Sequence, residues 1–316
     1  VATYNSIISR ADTQALVPEV VSNDILTTVV AESAALSLFR HVPMSTSQTR
    51  MPVLAALPIA YFVNGDTGLK QTTEVNWDNK YLNVEEIATI VPIPEAVLDD
   101  ASFDIWGAIK PMLATALGRL LDDAIFFGVN KPASWPTDIV TAAVAAGNTV
   151  THGTNSAALG GIVGDFSDLF TTVELDGFDV NGIIAHIAAK GWLRQARATT
   201  GESLQELAQQ VTSGSAYGVD LTYPMRGLWP TGSGATQAIA GDYTNGIVGV
   251  RQDVTYKVLD QAVITGADGS IIYNLPQQDM VALRVVARYA WQVANTINFD
   301  QTVEANRYPF AVLKAA

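Results

Sequence analysis

The chain contains no cysteine in 316 residues. Disulfides, thiolate metal ligands and cysteine nucleophiles are therefore excluded, and the absence fits a reducing cytosol. Charge is also scarce. Lys, Arg, Asp and Glu make up 16% of the residues, against roughly 25% in an ordinary soluble domain. A subunit this large would need more charge to clothe its whole surface, so part of that surface is expected to face other subunits. A β-rich exported protein clothed in Ser, Thr, Asn and Gln would show the same shortage. Basic residues are the scarcer sign, 18 against 31 acidic, giving a formal charge of −13. Gripping nucleic acid by counter-ion release needs clustered Lys and Arg, so that function is not expected, and like charge holds unassembled copies apart. No apolar run approaches the ~18–20 residues of a membrane span. Val1-Ala-Thr-Tyr-Asn-Ser6 lacks the basic-then-apolar pattern of an export signal. Cytoplasmic synthesis is the expectation.

Catalytic patterns are missing too. Histidine occurs only at His41, His152 and His186, without metal spacing, and His186 reads as a satisfied core histidine in a strand. There is no H-x-x-x-H, no G-x-S-x-G and no phosphate loop ending in Gly-Lys-Ser/Thr. Gly160-Gly-Ile-Val-Gly164 has no lysine to hold a phosphate and reads as a flexible turn. Asp122 and Asp123 would point about 100° apart on a helix, so they are expected on a solvated or intersubunit edge. Asp99-Asp100 should favour the start of the helix that follows them. Asp268-Gly-Ser270 is a turn, too short for a calcium loop. The chain is read as a non-enzyme with no catalytic residue, no metal and no cofactor.

The elements present are mixed. Pro18 opens a segment with apolar residues at Val21, Ile25, Leu26 and Val29, a helical period. Met51–Tyr81 reads as a hairpin: Ile59–Val63 is β-rich, Asn64-Gly65 is a turn signal, and Thr72–Trp77 returns. Its polar outer half has no core of its own, and isolated hairpins are marginal in water, so it should project and rest on another subunit. A strand then runs from Tyr81 to Ile93. Ser102–Phe127 is the clearest helix, with Ser102 or Asp104 as cap, Gly128 as stop, and a kink or separate first turn expected at Pro111. Its apolar stripe is Ile105, Ile109, Met112, Leu113, Ala116, Leu117, Leu120, Leu121, Ala124 and Ile125. A short helix over Asp165–Leu175, capped by Asp or Ser, precedes a buried-type strand at Ile183–Ala188 and a helix at Gly191–Arg197. Strand material returns at Gly246–Val258 and in the long run Gln278–Val293. Without a βαβ repeat, this order favours α+β.

In order and texture these segments resemble one family over nearly the whole chain: the major capsid proteins of tailed double-stranded DNA bacteriophages, with the Hong Kong 97-type fold. The residues that carry the resemblance are Pro18-Glu19-Val20 in an arm, Met51-Pro52-Val53 before the hairpin, and the helix ending near Gly128. Gly241-Asp242-Tyr243 ahead of Ile247–Asp253, and Arg284-Val285-Val286-Ala287-Arg288 in the last long strand, complete the set. The resemblance implies an N-terminal arm over 1–43, an extended hairpin loop over 44–84, and a peripheral domain with a long spine helix over 85–132. It further implies an axial domain over 133–270, a return strand to the peripheral domain over 271–293, and a segment over 294–316 that returns to the axial domain. Copies would build pentamers and hexamers of an icosahedral shell that packages phage double-stranded DNA without sequence-specific binding. The shell would assemble in the bacterial host cytoplasm, with a scaffolding protein, a portal and possible decoration proteins as partners. Members often carry a scaffolding segment before the arm, so either its removal or a separate scaffolding protein is expected.

Candidate intersubunit contacts are Tyr61, Phe62, Asn64, Gly65, Asp66, Lys70, Trp77 and Arg288. Crosslinking members of the family join a hairpin lysine to a neighbour's Asn with help from a buried glutamate. Lys70 offers the amine here. Matching Arg288 to the family's strand puts the acceptor near Gln278-Asp279 and the glutamate near Val286, where neither matches, and residues 275–293 contain no Glu. Without a base the amine stays charged, so no covalent crosslinking is expected. An encapsulin-like compartment shell is the alternative, although its usual N-terminal helix differs from the polar start here. A hydrolytic or sugar-binding enzyme with an unrecognised site, a small monomer or dimer with a deep pocket, is the reading outside this fold.

Overall fold

The computed structural model describes residues 33–58, 60, 62, 70, 72–73, 75–100, 104–196, 214–224, 227–266 and 268–316. Two sheets share one core. The first has four strands in the order β1 (Arg40–Pro43), β10 (Gly246–Leu259), β13 (Met280–Val293), β4 (Glu85–Pro94). β1 runs parallel to β10, and the other pairings are antiparallel. The long run read from the sequence is β13. Period-2 alternation sends Leu283, Val285, Ala287, Tyr289, Trp291 and Val293 to one face, where they meet Leu117, Leu121, Ala124 and Ile125 of the long helix α3 (Ile105–Asp122). β1 and β4 are the edges of this sheet, and both contain proline: Pro43 on β1, Pro92 and Pro94 on β4.

The cap and stop of α3 lie where its sequence places them. Asp104 is the N-cap, its carboxylate accepting from the Gly107 N–H at 3.0 Å. The helix loosens into a π turn at Asp123–Phe127 and ends at Gly128, whose φ of +71° only glycine adopts freely. The kink or break expected at Pro111 does not end the helix, which runs through that residue. A separate helix α2 (Glu95–Asp100) lies ahead of it, so Asp99-Asp100 close one helix rather than open the next. The apolar stripe is broader than the core it meets. Met112, Ala116 and Leu120 are exposed, and burial concentrates in the last two turns and the π turn.

The second sheet has six strands in the order β5 (Thr149–Thr151), β14 (Phe310–Lys314), β9 (Thr236–Gly241), β6 (Gly182–Ala185), β8 (Val219–Thr222), β7 (Ser215–Ala216). Its central strands β14, β9 and β6 are buried on both faces, so they read as continuous apolar runs. Ile184, Ile239, Phe310 and Val312 point into the core shared with α3. Their neighbours Ile183, Ala185, Ala238, Ala240, Ala311 and Leu313 pack on Phe166, Leu169 and Val173 of α4 (Ile162–Leu175) and Leu193 of α5 (Ala189–Gln195). β14 comes from the last stretch of sequence yet sits inside the sheet, between β5 and β9. Asp176 steers it there: its carboxylate accepts from Asn148 Nδ2 at 2.7 Å and from the Tyr308 N–H at 2.9 Å.

Phe310 joins the two sheets. Its ring lies 5.2 Å from Tyr243, 5.8 Å from Tyr308 and 6.2 Å from Phe39, while Phe39 stacks on Phe126 at 5.8 Å. Two tight points let the strands close on this cluster. A side chain at Gly241 would strike the Pro309 carbonyl and Phe310, and one at Gly182 would strike the Tyr243 ring at 2.9 Å.

Several sequence expectations are corrected. The strand expected over Tyr81–Ile93 is two strands, β3 (Trp77–Asn83) and β4, separated at Val84. The Asp165 helix begins earlier, at Ile162, and buried Asp165 is not its cap. It accepts from the Gly153 and Asn155 N–H groups at 2.7 and 3.0 Å, tying the preceding loop down. Gly164 consequently lies in that helix, and only Gly160 and Gly161 serve the turn. His186 lies just beyond β6, half-buried, with Nδ1 accepting from the Ala188 N–H at 3.2 Å. The expected helix over residues 18–29 and the Ser102 cap lie outside the described residues. Residues 246–259, inside the span expected for the axial domain, pair with β13 in the four-stranded sheet.

Candidate assembly surface

The hairpin is built from β2 (Gln48–Leu54) and β3, paired antiparallel with Gln48 opposite Asn83 and Leu54 opposite Trp77. Its base is anchored. Leu82 is fully buried against Met44, Ile247 and Ala290. Asn83 holds the loop behind it, donating from Nδ2 to the Ser134 carbonyl at 2.9 Å and accepting Trp135 Nε1–H at 3.0 Å. Lys80 pairs with Glu304 at 2.7 Å, and Gln292 Nε2 donates to the Tyr81 carbonyl at 3.3 Å.

Towards its far end the hairpin loses this support. Trp77 is 67% exposed, Val75 is exposed and Phe62 is wholly exposed. Lys70 is exposed as well. Of the candidate contact residues, Phe62, Lys70 and Trp77 thus stand on open surface, while Tyr61, Asn64, Gly65 and Asp66 lie outside the described residues. Arg288 is elsewhere, on the middle of β13. Its Nε and Nη2 both donate to Glu86 Oε2, at 2.8 and 2.6 Å. The return strand itself has no Glu, but its neighbour β4 supplies this one across the sheet. That carboxylate is occupied by the guanidinium.

Two features were missed from the sequence. The first is a second exposed apolar patch on the small hairpin β11 (Val263–Thr265) and β12 (Ile271–Asn274). Val263, Ile271, Ile272 and Tyr273 are exposed there, next to Val258 at the end of β10. The Ile-Ile-Tyr run after the Asp268-Gly-Ser270 turn is the signal that could have found it. The second is Asp122. It is not on a solvated edge but buried, at 2% exposure. Its Oδ1 accepts from Ser33 Oγ at 2.7 Å and the Ala35 N–H at 3.0 Å, and Oδ2 accepts from the Ala34 N–H at 2.9 Å. Helix α1 (Ala34–Leu38) is thereby pinned by its N-terminus to α3, where a carboxylate satisfies otherwise orphaned donors. Burial pushes the Asp122 carboxyl up to about 6; the three hydrogen bonds pull it back, and the Asp123 charge adds to the rise.

Among the described residues no group of His, Asp and Glu could hold a metal ion. His152 Nδ1 is engaged with Gln237 Oε1 at 2.8 Å, and its ring lies against Trp192. No helix of the described residues is long and apolar enough to cross a membrane.

Comparison with known proteins agrees with this picture. The family model described as the phage capsid family matches residues 13–299. The major capsid protein of Staphylococcus phage 80alpha is 25% identical over 292 residues, 90% of this chain and 83% of that protein. A solved structure from Microbacterium phage Oxtober96 is 37% identical with a TM-score of 0.84, covering 98% of this chain and 100% of that one. One from Mycobacterium phage Adephagia is 33% identical with a TM-score of 0.85, covering 98% and 99%.

Proposed function

The chain belongs to the phage capsid family, and we propose that its copies gather into pentamers and hexamers of an icosahedral shell around double-stranded DNA. It is a structural component of a virion capsid rather than an enzyme, and its α+β architecture is the Hong Kong 97-type fold. In this reading the four-stranded sheet with α3 forms a peripheral domain, and the six-stranded sheet forms an axial domain at capsomer centres. Assembly takes place in the bacterial cytoplasm with a scaffolding protein and a portal, and decoration proteins can be added.

The observation that carries the proposal is the hairpin: clamped at its base, it presents Trp77 and Phe62 bare to solvent at its far end. Covering the exposed part of a Trp removes on the order of 100–150 Å² of apolar surface from water, roughly 3 kcal/mol. Repeated in every copy of a closed shell, such contacts make a particle that does not dissociate. Trp77→Ser should therefore leave the thermal melt of the isolated subunit within about 1 °C, because an exposed residue contributes little to its own fold. The yield of particles, counted by size exclusion and negative-stain microscopy, should fall at least tenfold. Normal particles from the variant would refute the reading, and particles filled with protein cargo would favour a compartment shell instead.

We also propose that the shell is held without covalent bonds. Boiled particles on a denaturing gel should run as a single monomer band, and a ladder of oligomers would overturn this.

A further inference from the structure

The face of the four-stranded sheet turned away from α3 carries a charge pattern that the isolated subunit leaves unbalanced. Alternation buries Leu283, Val285 and Ala287 under α3 and puts Arg284, Val286 and Arg288 on the opposite side. Arg284 lies directly across from Lys257 on β10 and from Ile90 on β4, and all three are exposed. Like charges directly opposite each other weaken a strand pair. The described residues contain two salt bridges, Lys80–Glu304 and Arg288–Glu86, and neither takes up Lys257 or Arg284. The Arg288–Glu86 pair, four residues along β13, shows the same surface in balanced form. There a carboxylate reaches the guanidinium at 2.6 Å. At Arg284 the cations are present, and among the described residues no carboxylate pairs with them.

We infer that the Lys257–Arg284 row receives a carboxylate-bearing stretch of a second copy of this chain. The inference rests on the assembly reading and gives it an acceptor surface. A sister copy is a ready source of the missing charge, since each carries thirteen more acidic than basic side chains. The border of the row fits a protein edge better than a phosphate backbone. Ile90 and Ala88 are exposed and Val286 half-buried beside the cations, which suits an acidic segment that also brings apolar atoms. Two cations on a strongly acidic chain are also too few to hold nucleic acid by counter-ion release.

The test uses the full chain with Lys257→Glu/Arg284→Glu, alongside Lys257→Gln/Arg284→Gln and the wild type. Particle yield is measured by sedimentation and microscopy, subunit folding by circular dichroism, and particle DNA by absorbance. Charge reversal should lower particle yield at least tenfold. The neutral pair should lower it severalfold while melting no lower than wild type, which keeps the result readable if the reversed pair folds poorly. Full particle yield from both variants overturns the inference. So does full yield with reduced DNA content, because the row would then face phosphate. A wild-type chain that stays monomeric defeats the assembly reading and this inference with it. Wild-type particles together with unaffected variants defeat the inference alone.

Discussion

Phe310→Ala should destabilise the subunit by about 3–5 kcal/mol, the cost of removing a large buried aromatic and leaving a cavity behind. The ring is fully buried and touches Phe39, Tyr243 and Tyr308, drawn from segments that serve both sheets. The site has little room to collapse, because Gly241 and Gly182 already bring backbone and Tyr243 as close as packing allows. Chemical denaturation of the soluble subunit would measure the loss. The conservative Phe310→Leu should cost less than half as much. If Phe310→Ala cost under about 1 kcal/mol, the two sheets would not share a core as described.

Asp122→Ala should cost about 2–4 kcal/mol, since it leaves Ser33 and the first two N–H groups of α1 without an acceptor. The pH dependence separates this residue from ordinary packing. Its folded-state pKa, about 6, lies above the usual 3.8. Between those values the native state binds more protons than the unfolded chain, so the stability this group contributes is greatest below pH 4 and falls as pH rises to about 6. A shift of that size is on the order of 2–3 kcal/mol. Asp122→Asn cannot titrate, and its amide turns one acceptor into a donor facing donors. It should be less stable than wild type, and the gap should narrow as pH rises from 4 to 6.5. A gap that widened over that range would show that the carboxylate, not the acid, is the better-held form.

These two residues also mark how far the sequence could be read. Local signals were sufficient for α3, because Asp104, the stripe ending in Leu117, Leu121 and Ile125, and Gly128 all act within a few residues of one another. The same holds for β13, but not for the hairpin base. There Gln48–Leu54 pairs with Trp77–Asn83, while the sequence put the strands further out, at Ile59–Val63 and Thr72–Trp77, and ran Tyr81 into the next strand. Asp122 was misread because its partners are 87–89 residues away in sequence, and neighbour spacing on a helix says nothing about what another helix brings to it. In the six-stranded sheet β6 was read from its apolar run Ile183-Ile184-Ala185, whereas β9 and β14 were not, because a strand buried on both faces loses its alternation and looks like any apolar run. The central place of Phe310–Lys314 has no local signature at all. The expected Asn64-Gly65 turn and most of the expected Ile59–Val63 strand lie outside the described residues, and the support of the hairpin by another subunit is part of the proposed assembly. The Lys257–Arg284 row was invisible until register set the two strands side by side.

The prolines on the borders of the four-stranded sheet have a consequence for growth. Subunits held shoulder to shoulder in a shell are crowded enough for one copy's border strand to zip onto another's, the route by which β proteins run into fibres. Pro43 on one flank and Pro92 and Pro94 on the other offer no N–H to such a zipper. In the assembly proposed above, this disfavours border-to-border zippering and favours contacts through side chains, which can be undone and remade while a container is still open.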